Sequence, residues 1–295
     1  MFRSLRVKKQ PEKVAPDSAA ISVEQLSRDP TIPITFRQIN SLPENAKRRI
    51  YRALLPAALL TDLGVDPVSW KGTSADLRVR LSAEADTNGV FLALRDGNGG
   101  ADDVLRIELA DNMLNGVDLN FIQISDPHGT RYSIDRDEHD RPTHFGTASR
   151  NLAEEVKAMH AGLAPGQTRS GLRASGLVFT HLEGFLATLG HRAYFLEPLT
   201  YASAWLFERR GFAYVRGHKL MDDIHCEFQP GGRLHAAVDG SSPFRQPEQW
   251  RTVRGRAWAI HDGILEAIGA RWDGLRMVKQ VGKHSGVVTF PDAVY

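Results

Sequence analysis

Cysteine is nearly absent from this chain, because Cys226 is the only one in 295 residues. A single thiol excludes an intrachain disulfide framework and a cysteine-rich zinc site, and it favours a reducing, cytoplasmic setting. The chain also lacks an apolar run of the roughly 18 residues that a membrane span needs. Its basic first residues are not followed by the apolar segment of a secretory signal. We therefore expect a cytoplasmic protein without a membrane partner.

Charge of one sign is not in excess either. Lysine and arginine together number 37 against 35 for aspartate and glutamate, which leaves a net charge of +2. This balance argues against a general nucleic-acid binder, so no nucleic-acid partner is expected. The sequence contains no Gly-x-Ser-x-Gly, no Gly-x-Gly-x-x-Gly and no phosphate-loop lysine motif. Nucleophilic hydrolases and dinucleotide-binding enzymes therefore gain no support from motifs.

Composition shifts along the chain predict a tail and one large domain. Residues 1–36 are polar and interrupted by proline, which is typical of a surface tail. Residues 37–295 are long enough to bury a sizeable core. Within them we expect helices and an antiparallel meander over 37–145, an alternating helix-strand core over 146–217, and a C-terminal extension over 218–295.

Alternating and short apolar runs dominate the region between about residues 75 and 135. Gly-rich turns such as Asn115-Gly116 separate the runs, a pattern that predicts an antiparallel meander. Upstream, Ser41-Leu-Pro-Glu44 has the form of a capping box and predicts a helix start. The whole pattern predicts an α/β (α+β) fold with a mixed, mostly antiparallel twisted sheet flanked by helices. The predicted strands cover residues 77–81, 90–94, 104–109, 117–124 and 131–134.

The following segment alternates between helix and strand. Apolar residues at helical spacing predict helices over 148–161 and 172–189. A strand is expected over 192–198, then a helix over 201–210 that Gly211 ends in a left-handed conformation. Three short strands are expected later in the chain, the first two as a hairpin: 223–228, 234–238 and 287–290.

The stretch from residue 192 to 217 resembles the GCN5-related N-acetyltransferase superfamily. The last conserved segment of that family reads roughly Asn-x-x-Ala-x-x-Leu-Tyr-x-x-x-Gly-Phe. The matching positions of this chain are Thr200, Ser203, Leu206, Phe207, Gly211 and Phe212. The resemblance implies an acyl-CoA N-acyltransferase-like fold and the transfer of an acyl group from acetyl-CoA or another acyl-CoA to the amine of a small molecule or peptide.

The family holds the coenzyme A pyrophosphate in a loop of the form Gln/Arg-x-x-Gly-x-Gly/Ala. The segment from Arg169 to Ala174 is similar, although Leu172 replaces the middle glycine and Gly171 lies one place early. A glycine-containing turn before a helix directs main-chain N–H groups outward, and the helix dipole adds positive potential. The predicted pyrophosphate residues are Arg169, Ser170, Gly171, Leu172, Arg173 and Ala174.

Catalytic roles are less directly implied. The family often uses the tyrosine of its last helix to protonate the departing thiolate, but Phe207 occupies that position here. Tyr201 and Tyr214 are nearby candidates for a general acid, and Glu197 is a candidate base for the acceptor amine. Loss of the tyrosine also allows a non-catalytic ligand-binding protein with the same fold.

Two other patterns give alternatives. His225 and Glu227 with His235 across the predicted hairpin form a histidine–carboxylate group of the kind that binds zinc or iron, and they suggest a metal-dependent enzyme. A second group could contact a phosphate, a carboxylate or a nucleotide base, or could simply pair with carboxylates of the chain: Arg245, Arg251, Arg254 and Arg256 with Trp250 and Trp258. We also expect a possible homodimer, with the C-terminal extension as its interface or as a cover for the acceptor site.

Overall fold

The computed structural model describes residues 31–96 and 102–295, so most of the predicted N-terminal tail lies outside the described residues. The described strands form one seven-stranded sheet in the order β1-β2-β3-β4-β5-β7-β6. No helix in these parts of the chain combines the length and the apolar composition that crossing a membrane requires. The predicted mixed α/β fold, with a mostly antiparallel sheet flanked by helices, is thus confirmed.

Strands β1 to β4 form the predicted antiparallel meander. Strand β5 is parallel to β4, and β7 lies between β5 and β6, antiparallel to both. The predicted strand over 131–134 is wrong, because the Tyr132 N–H donates to the carbonyl of Thr168, in a loop, at 2.8 Å. The strand bounds are β1 Val79–Ser82, β2 Gly89–Arg95, β3 Asp103–Asp111, β4 Val117–Ile124, β5 Ala193–Leu196, β6 Ala213–Arg216 and β7 Arg276–Gln280.

Three short helices precede the sheet: α1 Phe36–Asn40, α2 Glu44–Tyr51 and α3 Ala57–Asp62, with a 3₁₀ turn at Arg52–Leu54. The predicted cap at Ser41 is wrong. Helix α2 follows Pro43, which makes no side-chain cap, and the capping box belongs to Thr35 and Gln38 at the start of α1. Phe36 and Tyr51 pack with Phe185 of a later helix, so these helices close one face of the sheet over the main core.

The predicted helices of the central region are confirmed to within a few residues as α4 Leu152–His160, α5 Ser175–Thr188 and α6 Tyr201–Arg209. Gly211 follows α6 with φ +85°, as its left-handed position requires. A Cβ at Gly211 would lie 2.8 Å from the Cα of His284. Phe212, fully buried, then packs its ring against Tyr194 of β5 and fixes α6 against the sheet.

The segment between β6 and β7 is helical where a hairpin was predicted. It contains α7 His218–Glu227, α8 Arg233–Ala236 and α9 Val253–His261, with 3₁₀ turns at Pro247–Arg251 and Ile264–Ile268. The hairpin prediction is wrong because Met221, Ile224 and Phe228, all buried, recur at helical spacing. The predicted last strand over 287–290 is also wrong. The segment after residue 217 instead contributes β7, which lies inside the sheet between β5 and β6.

Candidate functional site

A wedge-shaped gap opens between strands β4 and β5. The two parallel strands meet at only two residue pairs, Val117 with Tyr194 and Asp118 with Phe195, although β4 continues to Ile124. Arg276 of β7 marks the closed end, because its guanidinium lies 2.7 Å from Asp118 and 3.3 Å from Glu197. Beyond that point the main chain of β4 has no partner strand on its β5 side within the described residues.

The chain leaves β4, makes a long excursion, and returns to the end of the same strand. The Asp126 N–H donates to the Ser170 carbonyl at 2.7 Å, so the two ends of the excursion are joined. Gly171 lies against β4, since a Cβ there would be 3.4 Å from the Ile124 carbonyl oxygen. The loop from Arg169 to Ala174 therefore enters α5 directly beside the end of β4, despite the 44 residues between Ser125 and Thr168 inclusive.

The amino terminus of α5 presents main-chain donors without acceptors. No described group accepts a hydrogen bond from any of the N–H groups from Gly171 to Leu177, and the N-cap residue Ala174 provides no side-chain bond. Seven successive donors combine with the helix dipole, and α5 is 14 residues long. Such a terminus is suited to an anion with several oxygen atoms.

Arg210 adds a fixed cation at this terminus. The residue follows α6, is exposed, and donates a hydrogen bond from its guanidinium to the Ser175 hydroxyl. Beside it lies an open cavity of about 480 Å³ between α5, the end of α6 and the turn after β7. Its lining includes Gly176, Thr180, Glu183, Arg209, Arg210 and His284. The cavity therefore adjoins the free amides at this helix end, while the loop that enters the helix lies beside the end of β4.

The two predicted arginines of the loop have different roles. Arg169 is half-buried and holds the excursion together: its guanidinium pairs with Asp102 at 3.1 Å and donates to the Gly129 carbonyl. Hydrogen bonds from Arg131 and Arg169 overcome the effect of burial and lower the pKa of Asp102. The Arg169 guanidinium is therefore already engaged by groups of the protein itself. Arg173 is exposed, and its backbone has φ +58°, a conformation that costs a residue with a side chain free energy.

The predicted catalytic residues do not come together at the gap. Glu197 is exposed at the end of β5 and pairs with Arg276. The Tyr214 hydroxyl donates to the buried Glu208 carboxylate at 2.7 Å, and burial followed by the Glu208 charge raises the pKa of Tyr214. Burial raises the pKa of Tyr201 to about 12. Both tyrosines therefore hold their protons inside the packing around α6.

Phe207 occupies an aromatic cluster. Its ring lies 6.2 Å from that of Phe179 on α5 and 5.2 Å from that of Phe212. The resembling family often has a tyrosine at this position. Here the Phe207 ring instead makes an apolar contact between α5 and α6. The predicted substitutes for a tyrosine at this position are engaged elsewhere, since Tyr201 is buried and the Tyr214 hydroxyl donates to Glu208.

The alternative metal ligands are separated. His225 lies on α7 with its Nδ1 3.4 Å from an Arg256 nitrogen, Glu227 pairs with Arg233, and the His235 ring packs against Trp250. Over residues 31–96 and 102–295, no three histidine, cysteine or carboxylate side chains converge as a metal site would require. The cluster predicted from a hairpin thus depended on strands that are helices.

Among the predicted arginines around α9, Arg245 belongs to a structural cluster of ion pairs. Arg245 and Arg150 both pair with Asp262, and Arg150 and His261 contact the buried Glu155. These pairs fasten α4 to α9 across the excursion. Arginine and carboxylate charges are balanced within this cluster. Arg251 pairs outside it with Glu248 at 3.5 Å, and the Arg254 guanidinium lies 4.2 Å from the centre of the Tyr295 ring.

No family model matches the chain, and comparison with curated proteins and with solved structures found no match.

The geometry also identifies residues that the sequence pattern did not reveal. Asp118, Arg210 and Arg276 border the gap and the helix end, yet they come from three distant segments. Only Arg210 had a local signal, since it directly precedes the helix-ending Gly211.

Proposed function

We propose that this protein binds an acyl-coenzyme A and transfers the acyl group to an amine. The observation that carries the proposal is the parallel pair β4–β5 that separates after two residue pairs, beside the free amino terminus of α5. The acetyltransferase-like fold has such a splayed pair, where main chain is exposed to the acyl-pantetheine. The initial antiparallel meander of this chain also agrees with that fold.

Three surfaces around α5 suit the three parts of coenzyme A: the diphosphate, the phosphorylated nucleoside and the pantetheine arm. Seven free N–H groups and the Arg210 guanidinium match a diphosphate in charge and in number of donors. The adjoining cavity of about 480 Å³ has room for a phosphorylated nucleoside, and its lining includes the cations Arg209 and Arg210 as well as the carboxylate of Glu183. The unpaired edge of β4 offers main-chain donors and acceptors to the amides of the pantetheine arm.

The reaction needs positioning more than activated side chains. Acyl-coenzyme A supplies a thioester, and the amine nitrogen forms the new bond to its carbonyl carbon as the carbon–sulfur bond breaks. Free N–H groups along the gap can polarise the carbonyl oxygen. The proton lost by the amine leaves with the departing thiol or through water, because Phe207 provides no hydroxyl. Orientation of the two substrates then supplies most of the rate enhancement.

Calorimetric titration with acetyl-coenzyme A tests the binding step. We expect Arg210→Ala to weaken the affinity about tenfold, since a charge-assisted contact to a phosphate is worth about 1.4 kcal/mol. Arg49→Ala is the matched control, because Arg49 is exposed on α2, away from the amino terminus of α5, and forms no ion pair with the described residues. Equal affinity for the wild type and Arg210→Ala, or no binding at all, would contradict the proposal.

Phe207 gives specific support to a second function, a coenzyme A-binding protein without turnover. The aromatic cluster around it replaces the proton donor that the resembling family uses. A coupled assay for free thiol in the presence of a mixed pool of amines separates the two functions. Release of thiol that depends on the amine supports the enzyme, whereas tight binding without release supports the binding protein.

A further inference from the structure

A single arginine side chain crosses the sheet at the point where β4 and β5 separate. Arg276, the first residue of β7, reaches over the Phe195 ring of β5, with 5.2 Å between the guanidinium carbon and the ring centre. Its far end pairs with Asp118 of β4 at 2.7 Å. The crossing joins three strands at the last residue pair of β4 and β5, Asp118 with Phe195. We call Arg276, Phe195 and Asp118 the strand clamp.

Neighbouring side chains hold the strand clamp in place. The Asp118 carboxylate also accepts a hydrogen bond from the Asn112 side chain at 3.1 Å, and the Arg276 guanidinium has a second carboxylate, Glu197, at 3.3 Å. The side chains of Arg276 and Asp118 are 30 % and 24 % exposed, so water screens this pair less than it screens a pair at the open surface. The guanidinium is thus fixed at both of its ends.

The same kind of crossing occurs once more, in the meander. Arg80 of β1 lies over the Phe91 ring of β2 at 5.3 Å and pairs with Asp103 of β3 at 3.0 Å. There the main chain already holds the strands, with four residue pairs between β1 and β2 and seven between β2 and β3. Strands β4 and β5 share only two pairs. A side-chain crossing therefore adds little in the meander, but it is a large part of what joins β4 to β5.

Two features separate the strands directly beyond the strand clamp. The pairing of β3 with β4 shifts between Glu108 and Leu109, so Asn120 pairs with no residue of β3 and forms a bulge, which bends β4. On the other side β5 ends at Leu196, and Pro198 has no N–H group to continue a ladder. The bulge lies two residues past the aspartate of the strand clamp, so the closed end and the opening of the gap are immediate neighbours.

We infer that Arg276 is a positioning residue, which fixes the width of the gap between β4 and β5 and thereby prepares the free main chain of β4 for the pantetheine arm. The inference rests on the proposed binding of an acyl-coenzyme A. Without the strand clamp, two residue pairs alone hold the strands, and the arm loses contacts that are now formed in advance. Among the described residues that line the cavity beside α5, none belongs to the strand clamp. Arg276 should therefore affect one part of the ligand only.

Hydrogen–deuterium exchange of the protein without ligand tests the strand clamp itself. We expect Arg276→Met, which keeps an apolar contact with Phe195 but removes the charge, to speed exchange in β4 and β5 about fivefold. Arg80→Met is the matched control, because it breaks the other crossing and should leave β4 and β5 unchanged. Asp118→Asn should act in the same direction as Arg276→Met, and the double variant should exchange no faster than Arg276→Met, since both changes remove one interaction.

Calorimetric titration with two ligands tests the positioning role. Adenosine diphosphate carries the diphosphate and the nucleoside but no pantetheine arm, whereas acetyl-coenzyme A carries all three. We expect Arg276→Met to weaken the binding of acetyl-coenzyme A about tenfold and to change that of adenosine diphosphate by less than about twofold. Arg276→Lys should recover part of the loss, because lysine keeps the charge without the planar group that reaches two carboxylates.

Three results would overturn the inference: an equal loss of affinity for both ligands in Arg276→Met, an equal loss for acetyl-coenzyme A in Arg80→Met, or unchanged exchange in β4 and β5 of Arg276→Met. A wild-type protein that does not bind acetyl-coenzyme A would reject the proposed function and the positioning role with it. Faster exchange in Arg276→Met would still show, in that case, that Arg276 holds the two strands together.

Discussion

Arg210 and Arg256 lie on either side of helix α6 in opposite surroundings. Arg210 is exposed, donates to a single serine hydroxyl, and stands beside N–H groups that have no acceptor. Arg256 has 0 % exposure, and its guanidinium lies 3.6 Å from the centre of the Phe290 ring and 5.0 Å from that of Phe228. One region leaves polar groups free at the surface, and the other encloses a cation among aromatic rings.

The contrast shows where the molecule can receive an anion. Burial lowers the pKa of Arg256, and its one well-formed hydrogen bond goes to the carbonyl of Trp250 at 2.7 Å. Aromatic faces stabilise a cation but add no negative charge, so the region around Arg256 serves packing. The free donors around α5 belong to exposed or half-buried residues, so water can satisfy them at little cost until a ligand replaces it.

The largest effect should come from Arg256→Ala. The substitution removes a fully buried side chain from between two rings and leaves a cavity, so we expect the free energy of unfolding to fall by about 3 kcal/mol. Urea denaturation measures this loss. Arg256→Met, which keeps most of the volume without the charge, should lose less than about 1 kcal/mol. An equal loss for methionine and alanine would mean that the charge and its contacts, rather than the side-chain volume, are essential.

Arg169→Ala should act on the fold with a smaller effect. The variant loses the pair with Asp102 and the bond to Gly129, both of which fasten the excursion after β4. Because Arg131 still pairs with Asp102, we expect a loss of about 1 to 2 kcal/mol in the free energy of unfolding. If the loss is negligible while coenzyme A affinity drops, then Arg169 belongs to the binding region after all.

Arg173→Gly should sharpen the comparison by separating stability from binding. Glycine adopts φ +58° without strain, so we expect the free energy of unfolding to rise by about 0.5 to 1 kcal/mol. Coenzyme A affinity should fall, because a cation beside the helix end is lost. Thermal denaturation and calorimetric titration of the same preparation measure the two effects, and Arg173→Ala controls for removal of the charge without relief of strain. An unchanged affinity would remove Arg173 from the site.

The smallest effect concerns pH. Burial is the main cause that lowers the pKa of His191, whose Nε2 lies 2.9 Å from the Ile34 carbonyl oxygen. Burial, followed by the charge of Arg256, also lowers the pKa of His225. A histidine with a lowered folded-state pKa contributes stability above its unfolded pKa of about 6.5 and loses it as the pH falls.

We therefore expect unfolding free energy to decrease between pH 7 and pH 5, with coenzyme A affinity affected less than stability. Urea denaturation at each pH provides the measurement. His191→Gln should reduce the slope, because glutamine does not titrate. A slope that is identical in this variant would show that other groups, such as the paired carboxylates, govern the acid response.

Local patterns were sufficient for the meander and the central helices. Alternation of Leu77, Val79 and Leu81 and the apolar run over 90–94 predict strands, and Gly211 predicts the end of α6, because these signals depend on neighbours in sequence. The same reasoning failed for α7, where His225 and Glu227 looked like alternate positions of a strand. The buried residues Met221, Ile224 and Phe228 follow a helical period that the histidines obscured.

The candidate site was only partly predictable. The segment from Arg169 to Ala174 was identified from its glycine and the helix that follows, and the structure brings that segment to the end of β4. The partners of the segment could not be read from the sequence. Arg210 and Arg276 reach the site from segments far along the chain, and no spacing rule connects positions so distant.

By itself, the sequence located four strands of the meander to within about two residues. It also determined that α5 has a glycine-containing entry and that the last helix of the resemblance carries Phe207 in place of tyrosine. These properties follow from short-range periodicity and residue identity. Tertiary structure decided which side chains are neighbours: it inserted β7 between β5 and β6, opened the gap beside β4, and buried Arg256. These features depend on contacts between residues distant in sequence, because burial of apolar surface over the whole chain selects how the helices and strands pack.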